Sequence, residues 1–283
     1  MSKARAFFQL LKFRLALTVA FSSAIGYLLG AHELSWGRAA LVMLGGLAVT
    51  GAANTINQIF EIELDKLMKR TAKRPLPLGV ISTQEAWIFT IILGVAGLGM
   101  LAYFFNPVAA ALSLISLILY GFIYTPLKTI SPICVAVGAI PGGMPPLIGW
   151  VAATGFLGPE GWILFGIQFM WQFPHFWAIA WVLDDDYKKA GFKMLPTPGK
   201  KDLRTAFQIM TYTLVLIPLS LLPFYFGMTS TTYPMVAAIC GVLFLMQTFY
   251  LMRTVSKKAA MSIMFGSFLY LPIVQIALVL DKI

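Results

Sequence analysis

The segment 86–105 reads AWIFTIILGVAGLGMLAYFF and contains no charged side chain. A helix needs roughly 20 apolar residues to cross a hydrocarbon core about 30 Å thick, so this segment predicts one transmembrane helix. Comparably apolar runs lie at 13–30, 38–60, 107–124, 132–152, 159–182, 207–226, 233–253 and 261–280. The sequence therefore predicts an all-α, polytopic membrane protein with nine transmembrane helices.

The composition supports this class of protein. Hydrophobic residues make up 59% of the 283 residues, charged residues make up 11%, and the mean hydropathy is +0.83. So few polar side chains cannot cover a water-exposed surface. The runs lack strict alternation and are about twice the length of a barrel strand, which disfavours a β-barrel. We expect residues 1–283 to form a single transmembrane domain.

Basic residues are distributed unevenly between the two sides of the predicted bundle. All Lys and Arg except Arg38 and Lys282 precede or begin the first run, or follow an even-numbered run. By the positive-inside rule, this places the N-terminus in the cytoplasm and the C-terminus outside. Topology and contact with anionic lipid account for the formal charge of +10 without a nucleic-acid partner.

A group of polar residues continues the second run on the cytoplasmic side. If the chain stays helical, Asn57, Glu61 and Asp65 lie at i, i+4 and i+8, on one face over about 12 Å. Two carboxylates and an amide with open positions suit Mg²⁺, which prefers to be completed by water and substrate phosphates. In the alternative interpretation, the acids pair with the basic residues that follow them, Lys66, Lys69 and Arg70.

Two arginines follow this polar face. Arg70 and Arg74 are one helical turn apart, and Pro75 is expected to end the helix. Guanidinium groups present paired donors to phosphate oxygens. A metal held by carboxylates and followed by a basic arm can bind a diphosphate and neutralise the charge that develops as it leaves.

A second acidic group, Asp184, Asp185 and Asp186, follows the sixth run. Consecutive residues point in different directions on a helix, so at most two of the three can share a face. They indicate a second metal site, or alternatively a solvated helix end with Lys188 and Lys189 as counterions. Because both acidic groups follow even-numbered runs, we expect them to meet in one cytoplasmic pocket.

Residues 57–65 resemble the Asn-xxx-Asp-xxx-Asp motif of the UbiA-type intramembrane prenyltransferases, with Glu61 in place of the middle Asp. The nine predicted helices and the acidic segment after the sixth are also similar to that superfamily. Further stretches resemble its haem-farnesylating members: 68–75 (MKRTAKRP), 143–150 (GMPPLIGW), 171–177 (WQFPHFW), 185–187 (DDY) and 194–196 (MLP).

The chain departs from the superfamily at two places. An aspartate triplet replaces the usual second motif, Asp-xxx-Asp, so the resemblance does not fix which of the three aspartates bind metal. Lys12-Phe13-Arg14 stands where many relatives have Lys-Pro-Arg. We expect this second departure to affect only the turn into the first transmembrane helix.

The resemblance implies transfer of a farnesyl group from farnesyl diphosphate to a vinyl group of haem B, in a bacterial inner membrane and at a site facing the cytoplasm. It implies Mg²⁺ as cofactor, held by the expected catalytic residues Asn57, Glu61, Asp65, Asp185 and Asp186. The expected substrate-binding residues are Arg70, Arg74, Tyr124, Lys128, Lys188 and His175. A haem A synthase or an oxidase assembly partner is the expected recipient of the product.

Several interpretations stay open in the sequence. Tyr124 and Lys128 fit an interfacial tyrosine and a snorkelling lysine equally well. His175 is either a haem contact or a helix–helix hydrogen bonder, and His32 is a weaker candidate for a haem contact. The alternative enzymes are sibling prenyltransferases acting on a quinone-precursor or chlorophyll-type acceptor. A secondary transporter is the more remote alternative, because its usual internal repeats and midplane charges are not visible in the chain.

Overall fold

The computed structural model describes residues 2–197 and 200–283, which are folded almost entirely into helices. In chain order, the helices are α1 (Lys3–Leu10), α2 (Phe13–Gly30), α3 (Trp36–Phe60), α4 (Ile62–Leu67), α5 (Thr83–Phe104), α6 (Pro107–Ile118), α7 (Thr125–Ile130), α8 (Cys134–Thr154), α9 (Pro159–Lys189), α10 (Leu203–Tyr225), α11 (Thr232–Thr254) and α12 (Lys257–Leu280). A π-helical segment, Leu119–Tyr124, joins α6 to α7 without a break. The all-α prediction is confirmed.

Eight helices among the described residues are long and apolar enough to cross a membrane: α2, α3, α5, the continuous rod Pro107–Ile130, α8, α10, α11 and α12. Each corresponds to one run in the sequence. α9 has 31 residues and occupies the position of the remaining run. Its interior carries Gln168, Gln172 and His175, which make it less apolar than the other long helices. The structure therefore supports a polytopic helical membrane protein and eight of the nine predicted spans.

The long helices form a closed series of neighbours. α2 packs against α3 and α8, α3 packs against α5, and α6 packs between α5 and α8. α9 contacts α8, α10 and α12, while α11 packs against α10 and α12. Because α12 also returns to α2, the two halves of the chain close on each other, with α8 the most buried of the membrane-crossing helices.

The interior of α8 is held by side chains of neighbouring helices. Three prolines lie inside it: Pro141, Pro145 and Pro146. The Gly142 carbonyl lies four residues before Pro146, which has no N–H to donate to it. Gln168 Nε2 of α9 donates to this carbonyl at 2.8 Å, and Gln275 Nε2 of α12 donates to Gln168 Oε1 at 2.8 Å. The Gly142 carbonyl freed by Pro146 is thus satisfied inside the bundle, as a lipid-embedded chain requires.

The backbones of α2 and α8 approach closely at two glycines. A Cβ atom on Gly149 would lie 1.9 Å from the Ser23 carbonyl oxygen, and a Cβ atom on Gly26 would lie 2.0 Å from the Pro146 carbonyl oxygen. Neither position accepts a side chain unless the two helices separate. Small residues at such contacts are a common basis of close helix packing in membranes.

The two basic residues outside the cytoplasmic group bind carbonyls near helix ends. Lys282 Nζ donates to the Leu28 carbonyl at 2.9 Å, and Arg38 Nη2 donates to the Phe104 carbonyl at 3.1 Å. Leu28 and Phe104 lie in the last turns of α2 and α5, where carbonyls lack intrahelical donors. A cation is also favourable at the C-terminal end of a helix dipole. Both residues therefore have a local role that requires no reversal of the predicted topology.

Candidate active site

The polar face predicted for residues 57–65 spans a break in the helix. α3 ends at Phe60, Glu61 forms the junction, and α4 begins at Ile62. The Glu61 N–H still donates to the Asn57 carbonyl at 3.1 Å, and the Asp65 N–H donates to the Glu61 carbonyl at 2.7 Å. Helical spacing therefore persists through the junction. The three polar side chains are buried, with Asn57, Glu61 and Asp65 being 1%, 4% and 0% exposed.

Each of these three side chains has a basic partner from another part of the chain. The pairs are Lys12 Nζ with Asn57 Oδ1 (2.9 Å), Lys128 Nζ with Glu61 Oε1 (2.6 Å) and Arg74 Nη1 with Asp65 Oδ2 (2.6 Å). The local pairing considered from the sequence is found for Glu63, whose exposed carboxylate lies 2.7 Å from Lys66 Nζ. Three basic side chains thus converge on two carboxylates and one amide.

The prediction that Arg70 and Arg74 share one helix is wrong. α4 ends at Leu67, and the chain continues through successive turns. The Thr71 hydroxyl donates to the Asp65 carbonyl at 2.9 Å, so a side chain caps this helix end in place of a further helical turn. Arg74 turns back onto Asp65, whereas Arg70 is exposed.

The fourth membrane crossing brings Tyr124 and Lys128 to the same pocket. Its π-helical segment is of the kind that recurs at functional sites. The Thr125 hydroxyl donates to the Tyr120 carbonyl at 2.9 Å and accepts from Asn57 Nδ2 at 3.2 Å. Lys128 Nζ lies 4.9 Å from the centroid of the Tyr124 ring, at cation–π distance. Lys128 is therefore directed into the bundle and does not snorkel to the surface.

Lys12 belongs to this pocket and was missed in the sequence interpretation. Burial, together with the positive charges of Arg74 and Lys128, lowers the pKa of Lys12 to about 7. Lys12 and Asn57 are 45 residues apart in the chain, so only the tertiary structure brings them together. The available signal was a pair of amides, Asn54 and Gln58, inside a transmembrane run, where polar groups need partners.

The three consecutive aspartates point in different directions, as expected. Asp184 is buried, and its Oδ2 lies 2.8 Å from Lys188 Nζ and 3.1 Å from Lys201 Nζ. The Asp185 side chain is 79% exposed, with Oδ1 3.5 Å from Lys201 Nζ. The Asp186 side chain is 20% exposed. The structure thus gives Lys188 an aspartate partner on its own helix and leaves Asp185 at the surface.

Asp186 connects the second acidic group to the segment that follows α4. Its Oδ1 accepts from Lys189 Nζ at 3.3 Å, and its carboxylate lies near the backbone N–H groups of Arg70 and Lys69. Partial desolvation raises the pKa of Asp186, but these neighbouring donors outweigh it and leave the pKa below its usual value. The two acidic groups therefore approach each other through Asp186.

The segment after α9 also contacts the fourth membrane crossing. The Lys193 N–H donates to the Lys128 carbonyl at 2.6 Å, and Lys128 Nζ lies 5.3 Å from the centroid of the Phe192 ring. Tyr187 is packed between these elements, and its ring centroid lies 5.5 Å from that of Phe192. This packing brings both cytoplasmic segments to the same end of the bundle.

These positions predict different roles for neighbouring aspartates. For the prenyl transfer that the sequence resemblance implies, we expect Asp186→Asn to lower the rate about 10- to 100-fold, because its charge lies beside the segment that carries Arg70. Asp185→Asn is the matched control and is expected to change the rate by less than about threefold, since surface pairs contribute little. Initial rates over a range of prenyl diphosphate concentrations measure both. Equal losses in the two variants would contradict this division.

The donor atoms of the pocket fit a Mg²⁺ ion. Asp65 Oδ1 is buried and has no hydrogen-bond partner among the residues that the structure describes. Such an oxygen is available to a hard cation. Within residues 2–197 and 200–283, no three Asp, Glu, His or Cys side chains group closely enough to hold a metal ion. Glu61 and Asp65 supply only two carboxylates, so a Mg²⁺ ion at this face would also need the Asn57 amide, water and phosphate oxygens as ligands.

The two histidines lie in different surroundings. His175 of α9 is half-buried, with Nδ1 2.8 Å from Ser267 Oγ of α12 and its ring stacked on Trp171 at 4.4 Å between centroids. The neighbouring Phe176 ring is 5.7 Å from His175 on one side and 6.2 Å from Tyr124 on the other. His32 is exposed between α2 and α3, at the other end of the bundle from the acidic face.

A membrane bundle with buried oxygen ligands and inward-facing cations at one end has the architecture of an intramembrane enzyme acting on a diphosphate ester. Residues 19–271 match the UbiA prenyltransferase family. The chain belongs to this family and is a membrane-embedded prenyltransferase.

The similarity to known proteins extends over the full chain. A protoheme IX farnesyltransferase of Cytophaga hutchinsonii is 57% identical over 283 residues, which cover 100% of this chain and 99% of the relative. The enzyme of the same name from Flavobacterium psychrophilum is 44% identical, with 98% of this chain and 94% of the relative covered.

Solved structures share the fold. One from work on a digeranylgeranylglyceryl phosphate synthase in membranes has a TM-score of 0.81 and 25% identity, with 99% of each chain covered. A UbiA homologue from Archaeoglobus fulgidus bound to DMAPP and Mg²⁺ has a TM-score of 0.69 and 19% identity, with 96% of this chain and 98% of that chain covered. At that identity the second comparison supports the fold alone.

Proposed function

We propose that the protein transfers the farnesyl group of farnesyl diphosphate to a vinyl group of haem B, giving haem O and diphosphate. The named relatives support haem as the acceptor, and their similarity extends over the whole chain. One observation carries the donor half of the proposal: the buried face of Asn57, Glu61 and Asp65 is met by three basic side chains. A transporter or a binding scaffold has no evident need for such a face.

Two of these basic side chains, Arg74 and Lys128, bind the diphosphate of the donor. Arg74 and Lys128 take up negative charge as the carbon–oxygen bond breaks and its electron pair leaves with the diphosphate. Asn57, Glu61 and Asp65 would hold Mg²⁺, which would supply further neutralisation of the leaving group. Arg70 stands at the exposed end of the same segment, where it contacts the diphosphate from the cytoplasmic side.

The pocket protects the allylic cation that remains. The Tyr124 ring lies next to Lys128 and the Phe176 ring lies next to Tyr124, and such rings stabilise a cation while excluding water. The vinyl electron pair of haem forms the new carbon–carbon bond. Water then adds its oxygen to the carbon left positive and releases a proton, which gives a hydroxyethylfarnesyl side chain. No nucleophilic side chain is required.

His175 has hydrogen-bond partners that fit a haem ligand. The Ser267 hydroxyl has one proton and donates it to the Met264 carbonyl at 2.7 Å. The tautomer of His175 that donates from Nδ1 to Ser267 Oγ fits this contact, and it leaves the Nε2 lone pair available. A metal-binding histidine commonly has its second nitrogen fixed in this way. We infer that Nε2 binds the haem iron, with Phe176 and Tyr124 linking the acceptor to the diphosphate pocket.

Replacement of His175 is expected to separate acceptor binding from donor binding. We expect His175→Ala to weaken haem B binding at least about tenfold, because the iron loses its protein ligand, and to leave pyrophosphate binding unchanged. Absorbance titration with haem and calorimetric titration with Mg²⁺ and pyrophosphate measure the two effects. His32→Ala is the control and should retain both affinities. Unchanged haem binding in His175→Ala would exclude the ligand role.

The topology follows from the same proposal. α9 crosses the membrane as a ninth span, with Gln168 bonded to the Gly142 carbonyl of α8 and Trp171 Nε1 donating to the Ser267 carbonyl of α12 at 3.0 Å. The whole chain then acts as one domain, with the N-terminus and the active site on the cytoplasmic face of a bacterial inner membrane. A haem A synthase or an oxidase assembly partner is the proposed recipient of haem O.

An acceptor screen tests the function directly. Purified protein in detergent, given farnesyl diphosphate and Mg²⁺, should release pyrophosphate and form a farnesylated haem when haem B is supplied. The same reaction with an aromatic acid acceptor should give no prenylated product. Product with the aromatic acid and none with haem would assign the protein to a sibling prenyltransferase and overturn the proposal.

A further inference from the structure

The turn between α1 and α2 places Lys12 in an unusual backbone conformation. Its φ is +48°, and among the described non-glycine residues only Lys12 and Val255 have a positive φ. Side chains with a Cβ atom adopt this region rarely, and such strain persists only where surrounding contacts impose it. The contacts that impose it at Lys12 are therefore informative.

Two buried amides of α3 hold this turn. Asn54 Nδ2 donates to the Leu11 carbonyl at 3.0 Å, and Gln58 Nε2 donates to the Leu10 carbonyl at 2.8 Å. Both amides are 1% exposed. Because these bonds fix the two carbonyls directly before Lys12, they direct its side chain toward the acidic face, where Nζ meets Asn57 Oδ1.

The charges around Lys12 leave room for an anion. Lys12, Arg74 and Lys128 are three basic side chains arranged around two carboxylates, those of Glu61 and Asp65. The Lys12 ammonium has three donors and uses one on Asn57. Lys12 is half-buried, whereas Asn57 and its other partner Thr125 are buried. The remaining donors of the Lys12 ammonium can therefore bind a ligand.

We propose that Lys12 is a further diphosphate-binding residue. When substrate binds, its ammonium group releases Asn57 Oδ1 and donates to a phosphate oxygen. This assignment rests on the donor half of the proposed function. The movement frees the amide oxygen as a metal ligand and places a further cation on the leaving group. Lys12 thus belongs to the binding site itself and does more than shape the turn.

Calorimetric titration of the detergent-purified protein with inorganic pyrophosphate and Mg²⁺ tests the assignment. Lys12→Asn removes the charge but keeps a residue that tolerates positive φ, and it is expected to bind pyrophosphate about 10- to 100-fold more weakly. Lys12→Arg should stay within about fivefold of wild type. Arg5→Gln, which removes an exposed cation of α1, should have no effect. The KM for farnesyl diphosphate should rise in Lys12→Asn.

Three results would overturn the assignment. The first is wild-type pyrophosphate affinity in Lys12→Asn. The second is an equal loss in Lys12→Arg and Lys12→Asn, which would indicate a role in the turn alone. If Lys12→Asn does not fold, Lys12→Gly provides the same charge removal, and wild-type affinity in that variant is the third. Because pyrophosphate binding needs no acceptor, failure of the haem reaction in the wild-type protein would reject the proposed function and leave this assignment standing.

Discussion

Asp65→Asn is expected to lower farnesyl transfer by at least about a thousandfold while the bundle remains folded. The substitution keeps the size of the side chain but removes its charge. It takes away the partner of Arg74 and changes the one buried carboxylate oxygen of the face that no described residue satisfies. Both changes weaken the electrostatic field in which the diphosphate leaves.

Glu63→Gln is the matched control for Asp65→Asn. Glu63 lies two residues away in α4 but is exposed and pairs with Lys66 at the surface. We expect it to retain more than about half of the wild-type rate, since surface pairs contribute little. Product formation under saturating substrates gives the rates, and thermal unfolding in detergent reports the fold. A highly active, folded Asp65→Asn protein would remove the acidic face from the mechanism.

Gly149→Ala is expected to have the largest effect on stability. The added Cβ atom would lie 1.9 Å from a carbonyl oxygen of α2, so the two helices must separate to accommodate it. Overpacking usually costs about 1–3 kcal/mol, and a backbone contact cannot relax by rotation of a side chain. We therefore expect a loss near the upper end of that range and a lower unfolding temperature in detergent.

Gly99→Ala provides the comparison for this change. Gly99 lies in α5, and a Cβ atom there would have no neighbour within 4 Å. Alanine is the better helix former by about 1 kcal/mol, so this variant should be as stable as wild type or slightly more stable. If Gly149→Ala unfolds at the same temperature as Gly99→Ala, the close approach of α2 and α8 does not exist in the membrane protein.

Much of the fold could be predicted because a bilayer imposes a simple length requirement on each helix. The runs at 86–105 and 233–253, for example, coincide with α5 and α11 within a few residues. The break at Glu61 and the π-helical segment before Thr125 escaped prediction, because local tertiary contacts determine them. The prediction of one helix through Arg70 and Arg74 is wrong for the same reason, because the Thr71 hydroxyl caps α4 before the chain reaches Pro75.

The acidic face could be predicted from spacing, but its partners could not. Helical geometry relates Asn57, Glu61 and Asp65 directly, whereas Lys128 is 67 residues from Glu61 in the chain. Lys12 carried no local signal, because its placement depends on side chains of α3. The division among the three aspartates likewise needed the packing of α9 against the segment after α4.

The basic partners of the acidic face determine the charge of the site between reactions. Bare carboxylates at this depth would draw water toward the hydrocarbon core, and that water would convert an activated isoprenoid to a simple alcohol. Ammonium and guanidinium groups of the polypeptide offset the carboxylate charges and leave one positive charge in excess for an anion. An arriving substrate then exchanges one set of ionic neighbours for another, and the desolvation of these charges occurs during folding, not at every turnover.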